Sequence, residues 1–468
     1  MIRPFLNPRA ASNRHWNEYV QTMPRAKLDQ WHLHRIQRLI KFAYDHTALY
    51  RRLYDQAGIK PEEVKTWDDF FYKVPYTDKP DFVQDQQGTG GQQGRGGFQT
   101  RPYFAAQALD QQHMLYYFQT TGTTGQFLRE CFSFYDTIKA GDEYCYGFWD
   151  VGIRPGDSFY FCFPWGLWVG LWHVYWNCKS LGCTVYSGGG LSTEDRLRAI
   201  LELRPTVVAG TPTYLLHMLN VAKTLGLDMR QAGAKLITGG GEPGFNVPVT
   251  RQALETGWGA EVLDCYGLSE PVVGHQECGI HPGGVHVIES CFHAFSVHPE
   301  TREPVPDGEI GENIVTSYSH TMQPFIKYRT HDLVRGIKNP DHGCGWTWAF
   351  LKGGVLGRTD FMTVIRGVNV YPTAVEELLG QVPGASPYYE IHLSRLEGMD
   401  HLLVKVEARE DVDPQAYAGI TQEAEALYKK QIGVKLEVEV VPPQTLPRYE
   451  LKTRRIFDHR AQEARPLG

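Results

Sequence analysis

The sequence lacks the features that would direct it to a membrane or to a polyanion. It has no uninterrupted run of about eighteen apolar residues, which a membrane-spanning helix requires. Its start, MIRPFLNPRAASNRHWNEYV, has no apolar segment of signal-peptide length. The formal net charge of −6 gives no positive excess for binding nucleic acid or anionic lipid. We therefore expect a cytoplasmic protein with small-molecule ligands, without nucleic-acid or membrane partners.

Cysteine is sparse as well. The nine cysteines are odd in number and scattered through 468 residues, so they do not form a disulfide framework. In a reducing compartment they are expected to be free thiols or metal ligands. A chain of this length is too long for one ordinary hydrophobic core, which predicts two or three domains.

Segments rich in β-formers alternate with helical segments between residues 157 and 330, as in SFYFCF, TVVAG and KLITGG interleaved with STEDRLRAILEL and TPTYLLHMLNVAKTLG. This alternation predicts an α/β domain of mixed, mainly parallel sheets covered by helices. Beyond residue 360, strands surround a helix from Thr373 to Leu379 and another near residues 414 to 431, which predicts a small α+β domain. We place the boundary between residues 359 and 360, with Asp360 as the hinge.

Two further segments differ from the rest of the chain in residue pattern or composition. From Ala26 to about Ala57 apolar residues recur at helical spacing, which predicts one long N-terminal helix. Residues 84–97, QDQQGTGGQQGRGG, consist mainly of glycine and glutamine and have little apolar area to bury, which predicts a mobile surface loop. Its glycines do not follow a predicted strand, so they do not form a dinucleotide fingerprint.

Six glycine-bearing or charged motifs occur in a fixed order. They are TTGTTG (120–125), GGGEP (239–243), YGLSE (266–270), YRTHDL (328–333), GRTDFMTVIRG (357–367) and LPRYELKTRR (446–455). In this order they resemble the adenylate-forming superfamily, in particular its phenylacetate-CoA ligase branch, and the resemblance covers nearly the whole chain. It implies that a carboxylic acid is joined to the α-phosphate of ATP with release of pyrophosphate, and that AMP is then exchanged for the thiol of coenzyme A.

The resemblance assigns nucleotide-binding roles residue by residue. Hydroxyls and glycine N–H groups of the first motif would surround phosphate oxygens, with Thr121 catalytic and Thr120, Gly122, Thr123, Thr124 and Gly125 binding ATP. The adenine and ribose contacts would come from Gly240, Gly241, Glu242, Tyr266, Gly267, Asp332 and Arg358. Glu270 would be the catalytic Mg²⁺ carboxylate. Relatives carry lysine and proline after the last glycine of the loop; here Gln126, Phe127 and Leu128 follow, and Arg129 is the first cation that could substitute.

Lys452 occupies the position of the family's catalytic lysine, which spans the attacking carboxylate and the α-phosphate. Relatives have glycine where this chain has Leu451. The same resemblance implies that the C-terminal domain is a mobile lid that rotates about Asp360 between the two half-reactions. Arg366 and Gly367 would then lie on the side where coenzyme A enters.

The carboxylic acid is expected at FPWGLWVGLWHVYWN, residues 163–177, which aligns with the helix lining the acid pocket in this branch. The tryptophans at 165, 168, 172 and 176 are spaced to share one helical face, either as a core stripe or as a wall for a planar acid. We predict an aryl or arylacetic acid, held by Trp165, Gly166, Trp168, Trp172 and His173.

Cysteine and histidine cluster in ECGIHPGGVH and DHGCG. Some members of the branch hold a structural Zn²⁺ between these segments, so Cys278, His286, His342 and Cys344 are its candidate ligands here. The second segment has one cysteine fewer than the usual pattern.

The sequence thus predicts an AMP-forming aromatic acid–CoA ligase that uses ATP, Mg²⁺ and coenzyme A, with zinc as a further candidate. One alternative is an adenylating enzyme that passes the acyl group to an amine or to a carrier-protein thiol. Another is a nucleotide-binding protein without turnover, suggested by the missing loop lysine and by Leu451. Relatives are often dimers, so a homodimer is an expectation by resemblance.

Overall fold

The structure is a computed structural model. It describes residues 13–86, 114–120, 128–242, 244–281, 283–338, 340–359, 363–365, 368–370, 372–396, 399–434, 436–448 and 455–459. The chain divides into two compact units. The first comprises residues 1–192, 205–209 and 263–354, and the second comprises residues 193–204, 210–262 and 355–468. Asp360 lies outside the described residues, so the boundary at residues 359/360 and the hinge stay predictions.

The helices that the structure describes in the first unit lie in its N-terminal half. They are α1 (Glu18–Gln21), α2 (Arg25–His46), α3 (Ala48–Gln56), α4 (Lys79–Gln86), α5 (Phe134–Ala140), α6 (Cys145–Asp150) and α7 (Val169–Leu181), with short 3₁₀ and π turns at Pro61–Glu63 and Asp69–Lys73.

The predicted N-terminal helix is two helices. The backbone of Thr47 is extended (φ −123°, ψ 139°), which ends α2, and its hydroxyl accepts a hydrogen bond from the N–H of Tyr50 at 3.2 Å. Thr47 is therefore the N-cap of α3, a position that threonine favours. The apolar face predicted from the spacing is correct, because Ile36, Leu39, Ile40 and Ala43 are buried in one core with residues of α3 and α4.

The predicted start of the glycine-rich loop is wrong by three residues. Residues 84–86 form the last turn of α4, where Asp85 is buried against Arg52 (3.1 Å). The Gln86 amide donates to the carbonyl of Arg129 at 2.6 Å and accepts from its N–H at 3.0 Å. These polar groups find partners inside the fold, which composition alone does not indicate. Residues 87–97 lie outside the described residues.

The strands of the first unit form a hairpin and two runs of a large sheet. The hairpin pairs β1 (Met114–Gln119) with β2 (Arg129–Ser133) in antiparallel fashion. One run is parallel, with β3 (Ser158–Phe161) between β4 (Thr184–Ser187) and β5 (Val207–Ala209). The other has the order β10-β11-β12-β13-β9-β8-β7, with bounds β7 (Glu261–Leu268), β8 (Val273–Gln276), β9 (Gly284–His286), β10 (Phe292–Val297), β11 (Ile310–Ser317), β12 (Tyr328–Ile337) and β13 (Phe350–Arg358). The described strand pairs of this second run are antiparallel, among them β11 with β12.

The second unit contains the helices and strands between residues 193 and 262, except β5, and those of the C-terminal segment from residue 355. Its elements are α8 (Thr193–Leu203), α9 (Pro212–Thr224), β6 (Leu236–Gly239), α10 (Pro248–Trp258), β14 (Thr363–Ile365), β15 (Val368–Val370), α11 (Pro372–Leu379), β16 (Ala385–Leu396), β17 (Met399–Ala408), α12 (Tyr417–Gln431), β18 (Glu437–Val441) and β19 (Ile456–Asp458). Short 3₁₀ turns lie at Met229–Ala232 and Pro414–Ala416.

The C-terminal part of this unit is the predicted α+β fold. A four-stranded sheet of order β18-β17-β16-β19 packs on α11 and α12 around Val375, Ile391, Val404, Ala424 and Tyr428, all of which are buried. Polar contacts join it to α9: the Asn220 amide donates to the Tyr388 hydroxyl at 2.9 Å, and the ammonium of Lys223 lies 2.7 Å from the Glu410 carboxylate.

Among the described residues, we find no helix with both the length and the apolar character needed to cross a membrane.

Candidate active site

In the first unit, Tyr266 and Asp332 come together from β7 and β12. The Tyr266 hydroxyl donates to a carboxylate oxygen of Asp332 at 2.5 Å, and both residues are largely buried. Burial raises the pKa of Tyr266 well above its usual range, and the charge of Asp332 raises it further. The tyrosine therefore stays protonated and positions the carboxylate, which keeps acceptor capacity for other hydroxyl groups.

Glu270 lies at the end of the YGLSE motif, in the turn after β7. Its carboxylate is only 11% exposed and lies 3.2 Å from the ammonium of Lys79, the first residue of α4. A positive charge is thus already held beside the carboxylate predicted to bind a divalent cation. This pair is partly exposed at the lysine, whose side chain is 29% accessible.

The first motif begins where β1 ends. Thr120 is buried, its N–H donates to the carbonyl of Leu128 at 3.0 Å, and its hydroxyl accepts from the N–H of Leu128 at 3.1 Å. These two hydrogen bonds join Thr120 to Leu128, the described residues on either side of the predicted phosphate-binding loop. Thr121, Gly122, Thr123, Thr124 and Gly125 lie outside the described residues.

In the second unit, GGGEP follows β6. Gly239 has φ +155°, and a Cβ there would lie 1.8 Å from the carbonyl oxygen of Gly210, so only glycine fits. Gly240 and Gly241 follow it, and a carboxylate oxygen of Glu242 accepts from the N–H of Thr213, 3.0 Å away at the start of α9. The segment predicted to contact adenine is thus anchored to the N-terminus of a helix.

The remaining second-unit residues are only partly described. Arg358 is the last residue of β13, whose residues 355–358 belong to the second unit. Arg455, in the LPRYELKTRR motif, forms an ion pair with Glu376 and lies over the Tyr389 ring, with its guanidinium carbon 4.5 Å from the ring centroid. Lys452, Asp360, Arg366 and Gly367 lie outside the described residues, so their roles stay predictions.

The predicted acid pocket lies in the first unit, but its four tryptophans do not share one helical face. Helix α7 begins at Val169, so Trp165 and Trp168 belong to the preceding loop and only Trp172 and Trp176 lie on the helix. Gly170 allows the Trp168 ring to approach, because a Cβ on Gly170 would lie 2.3 Å from it. The prediction is wrong because Phe163 to Trp168 connect β3 to α7, and spacing alone does not locate a helix start.

The loop nevertheless brings an aromatic wall together. Trp165 packs edge-on against Trp172 with ring centroids 4.8 Å apart and against Tyr175 at 5.4 Å. Trp172 also packs on Tyr116 of the hairpin at 5.6 Å, and its indole N–H donates to the carbonyl of Gly166 at 3.1 Å. Trp176 is buried behind them, whereas Trp165, Trp172 and Tyr175 are half-buried and present ring surface.

His173 faces away from solvent. Its Nε2 lies 3.1 Å from the Glu143 carboxylate and 3.1 Å from the carbonyl of Ala140, and both Glu143 and His173 are buried. Because both of these neighbours are acceptors, Nε2 carries the proton. A contact of His173 with a substrate substituent stays a prediction, and it would have to use another edge of the ring.

Four predicted metal ligands meet in the first unit. The ligand atoms of Cys278, His286, His342 and Cys344 lie within 4.8 Å of one another, and we call them the thiol–imidazole cluster. The Cys278 sulfur is 3.7 Å from Nε2 of His342, and Nε2 of His286 is 2.9 Å from Nε2 of His342 and 3.6 Å from the Cys344 sulfur. Tetrahedral Zn²⁺ with sulfur at about 2.3 Å and nitrogen at about 2.0 Å requires separations of this size.

The surroundings of the cluster also suit a cation. Nδ1 of His286 faces the carbonyl of Trp348 at 3.3 Å, and the N–H of Trp346 points at the Cys344 sulfur at 3.2 Å. Such contacts orient metal ligands and favour a thiolate. A hydrogen bond from Cys278 lowers the pKa of the Cys344 thiol to about 3, against the effect of burial. The four residues therefore fit a closed Zn²⁺ site.

Two residues near the predicted site were missed from the sequence. Lys79 pairs with Glu270, and Glu130 of β2 is fully buried. Glu130 follows Arg129 in the strand RECFS, so its charge gave no signal that distinguishes it from a solvated residue.

Comparison with known proteins identifies the family. The AMP-binding enzyme family matches residues 36–324, and the AMP-binding enzyme C-terminal domain matches residues 367–460. The chain therefore belongs to the AMP-binding enzyme family. It is an adenylate-forming acid–thiol ligase, as the order of motifs predicted.

Similar proteins cover nearly the whole chain. Phenylacetate-coenzyme A ligase of Pseudomonas putida is 30% identical over 94% of this chain and 97% of its own length, and the enzyme of that name from Thermus thermophilus is 29% identical over 94% and 98%. The crystal structure of 2-hydroxyisobutyryl-CoA ligase with 2-HIB-AMP, in the postadenylation state, has a TM-score of 0.88 at 28% identity and covers 97% of this chain and 94% of that one. These comparisons confirm the predicted fold class.

Proposed function

We propose that this ligase activates an aromatic carboxylic acid, as an acyl-AMP, and transfers the acyl group to coenzyme A. The observation that carries the aromatic assignment is the wall of Trp165, Trp172 and Tyr175, whose half-exposed rings stand beside Tyr116 of the hairpin. Aromatic walls favour planar ligands because ring surfaces stack or meet edge-on with little rearrangement. An aryl or arylacetic acid is the class that this surface fits.

The nucleotide roles follow from the chemistry of the side chains. Asp332, held by the Tyr266 hydroxyl at 2.5 Å, is proposed to accept hydrogen bonds from the ribose hydroxyls. Thr120 and the loop residues 121–125 are proposed to contact phosphate, and Gly240, Gly241, Glu242, Gly267 and Arg358 to complete the nucleotide contacts. Tyr266 is proposed to present its ring to adenine.

Glu270 is proposed to hold Mg²⁺ together with phosphate oxygens and water, a ligand set that suits this ion. The Lys79 ammonium lies 3.2 Å from the carboxylate. It shows that a positive charge is accommodated beside Glu270, which supports this assignment. Bound Mg²⁺ would neutralise phosphate charge. Lys452 is proposed to stabilise the carboxylate and α-phosphate as they approach, with Arg366 and Gly367 facing coenzyme A in the second half-reaction.

The thiol–imidazole cluster is proposed to hold a structural Zn²⁺. Cys278, His286, His342 and Cys344 supply four ligands and leave no open position for substrate, so the ion would stabilise the fold without entering the reaction. Metal analysis of protein prepared without chelator should give about one zinc per chain.

A panel of aryl, arylacetic and short aliphatic acids, assayed for pyrophosphate release and then for the CoA thioester by mass spectrometry, tests the function. Trp172→Ala should raise KM for the best aryl acid about 10- to 100-fold, because a wall ring is lost, and leave KM for ATP unchanged. Val174→Ala, on the same helix, is the matched control. A Trp172→Ala enzyme with unchanged KM for aryl acids would contradict the assignment of the pocket.

The same assay separates the alternative acceptor. If pyrophosphate is released but the acyl group reaches an amine or a carrier-protein thiol in preference to coenzyme A, the adenylation assignment stands and the acceptor assignment is wrong. If no acid in the panel supports pyrophosphate release, the aromatic acid proposal fails.

A further inference from the structure

Glu130 is a buried carboxylate that accepts no hydrogen bond from the residues that the structure describes. It has 0% exposure, and neither of its carboxylate oxygens has a hydrogen-bond partner among the residues that the structure describes. An isolated carboxylate removed from water costs several kcal/mol unless it is protonated or meets a cation. A fully buried glutamate near the start of β2 is therefore unfavourable for the fold unless its carboxylate binds a cation or is protonated.

The strand around Glu130 is fixed on both sides. The preceding residue, Arg129, exchanges two hydrogen bonds with the amide of Gln86, at 2.6 Å and 3.0 Å. The following residue, Cys131, donates its N–H to the amide oxygen of Gln323 at 3.1 Å. Side chains from two different segments thus hold the backbone in place, so the Glu130 carboxylate cannot reach solvent by a small shift of the strand.

Both charges of the Lys79–Glu270 pair act on Glu130. Burial raises the pKa of Glu130 well above its usual range; the charge of Glu270 raises it further, and the charge of Lys79 lowers it. Lys79 and Gln86 are the two ends of α4, so one helix supplies both the cation on Glu270 and the amide that fixes the strand of Glu130. We call Lys79, Glu130 and Glu270 the carboxylate cluster.

This cluster holds two carboxylates and one ammonium. Lys79 lies on Glu270, at 3.2 Å, and makes no hydrogen bond to Glu130 that would satisfy its oxygens. The two carboxylates therefore outnumber the positive charges of the cluster. A hard divalent cation such as Mg²⁺ would supply the balance, because it binds one or two protein carboxylates together with phosphate oxygens.

We propose that Glu130 is a second protein ligand, with Glu270, for the divalent cation that accompanies ATP. The proposal rests on the proposed function insofar as ATP is the nucleotide. In the cation-free protein Lys79 neutralises Glu270; with the cation present, Glu130 gains the partner that it lacks, and the buried charge is compensated.

Cation binding can be measured without turnover. Mn²⁺ is titrated into the full-length protein with α,β-methylene-ATP, and free Mn²⁺ is followed by its electron paramagnetic resonance signal. Glu130→Gln, which keeps the shape and removes the charge, should raise the Kd of Mn²⁺ about tenfold, and Glu130→Asp should give an intermediate value. Asp85→Asn is the matched control, because Asp85 of α4 is a buried carboxylate that already pairs with Arg52. The Kd of Mn²⁺ for this variant should equal that of the wild type.

Glu130→Val tests whether Glu130 is a metal ligand or only a buried carboxyl group with a structural role. If Glu130→Gln and Glu130→Val bind Mn²⁺ with the wild-type Kd, the proposal is overturned. Circular dichroism and Tm establish folding, and if the neutral variants do not fold, a wild-type Kd for Glu130→Asp counts against the proposal. A wild-type protein that binds Mn²⁺ through Glu130 but releases no pyrophosphate with any acid would overturn the proposed function alone.

Discussion

The thiol–imidazole cluster and the carboxylate cluster are two buried polar groups of the same unit, and they differ in how far the protein satisfies them. In the first, four ligand atoms face one another within 4.8 Å, and backbone groups of Trp346 and Trp348 orient two of them. In the second, Lys79 satisfies one carboxylate and Glu130 has no hydrogen-bond partner in the described part of the chain. Four ligands that face one another suit a permanently bound ion. Carboxylates that lack a partner suit a cation that binds and dissociates together with the substrate.

This contrast indicates where stability and activity should separate. A closed metal site contributes to folding because its ligands are assembled only in the native state. In an incomplete site a carboxylate is buried at a cost in free energy, and ligand binding removes that cost. The residues of such a site should therefore affect ligand affinity and rate more than Tm. The substitutions below test this separation and are ordered by decreasing size of effect.

Lys452→Ala should give the largest loss of rate. A cation that stabilises charge only in the transition state contributes about 10²- to 10³-fold, so pyrophosphate release with the best acid should fall by that factor at unchanged Tm. The second half-reaction, started from chemically prepared acyl-AMP and coenzyme A, is the control and should keep more of its rate. Wild-type adenylation by this variant would remove Lys452 from the proposed roles.

Glu270→Gln should lower kcat/KM for pyrophosphate release about 10²-fold, because a metal carboxylate is lost from the incomplete set. Excess Mg²⁺ should restore part of the activity, and Tm should stay within a few degrees of the wild type. If Tm falls strongly and the rate per folded molecule is unchanged, the contrast between the two clusters is wrong.

Cys344→Ser should show the opposite behaviour. Removing one of four ligands should abolish stoichiometric zinc and lower Tm by several degrees, while kcat of the protein that stays folded should be near wild type. Metal analysis and thermal unfolding provide the two measurements. Cys183→Ser, a cysteine outside the cluster, is the control and should change neither.

A third buried polar cluster of the first unit has its charges paired by the protein itself. Glu289 is buried and paired with Arg25 at 2.7 Å and with His32 at 3.4 Å. Burial alone would raise the pKa of Glu289, but the bonds and charges of His32 and Arg25 lower it to about 2. Ionised Glu289 therefore stabilises the fold fully above the unfolded-state pKa of about 4.3, and this contribution is lost as pH falls toward 2.

Glu289→Gln should therefore lower the free energy of unfolding at pH 7 by about 3 kcal/mol, since it leaves Arg25 without its buried partner. Below about pH 4 the difference between variant and wild type should shrink. Denaturant unfolding at several pH values measures both. A difference that is constant from pH 7 to pH 3 would contradict the assigned pair.

Much of the fold was predictable because the spacing of apolar residues and the positions of turn residues are local properties of the sequence. The strands and helices between residues 158 and 258 lie where alternation and turn residues placed them. The break at Thr47 was not predicted, because a threonine in a helical pattern is common and its role as a cap depends on backbone geometry. The tryptophan spacing was misleading for a related reason, since four residues at helical intervals need not belong to one helix.

The candidate site was predictable to the extent that its residues sit in named motifs. Tyr266, Glu270 and Asp332 were predicted in this way, and the four members of the thiol–imidazole cluster indeed meet. Lys79 and Glu130 were missed because a charged residue in a single sequence is indistinguishable from one on a solvated surface. Their significance depends on burial and on the absence of partners among the described residues, which only the fold defines.

The close contact of Gly239 with the carbonyl oxygen of Gly210 constrains how this enzyme can diverge. At position 239 every residue other than glycine carries an atom where that oxygen already lies. Half-buried rings such as Trp165, Trp172 and Tyr175 meet no such limit, so they can be exchanged one at a time. Variation among relatives of this enzyme should therefore be frequent at these rings and absent at Gly239.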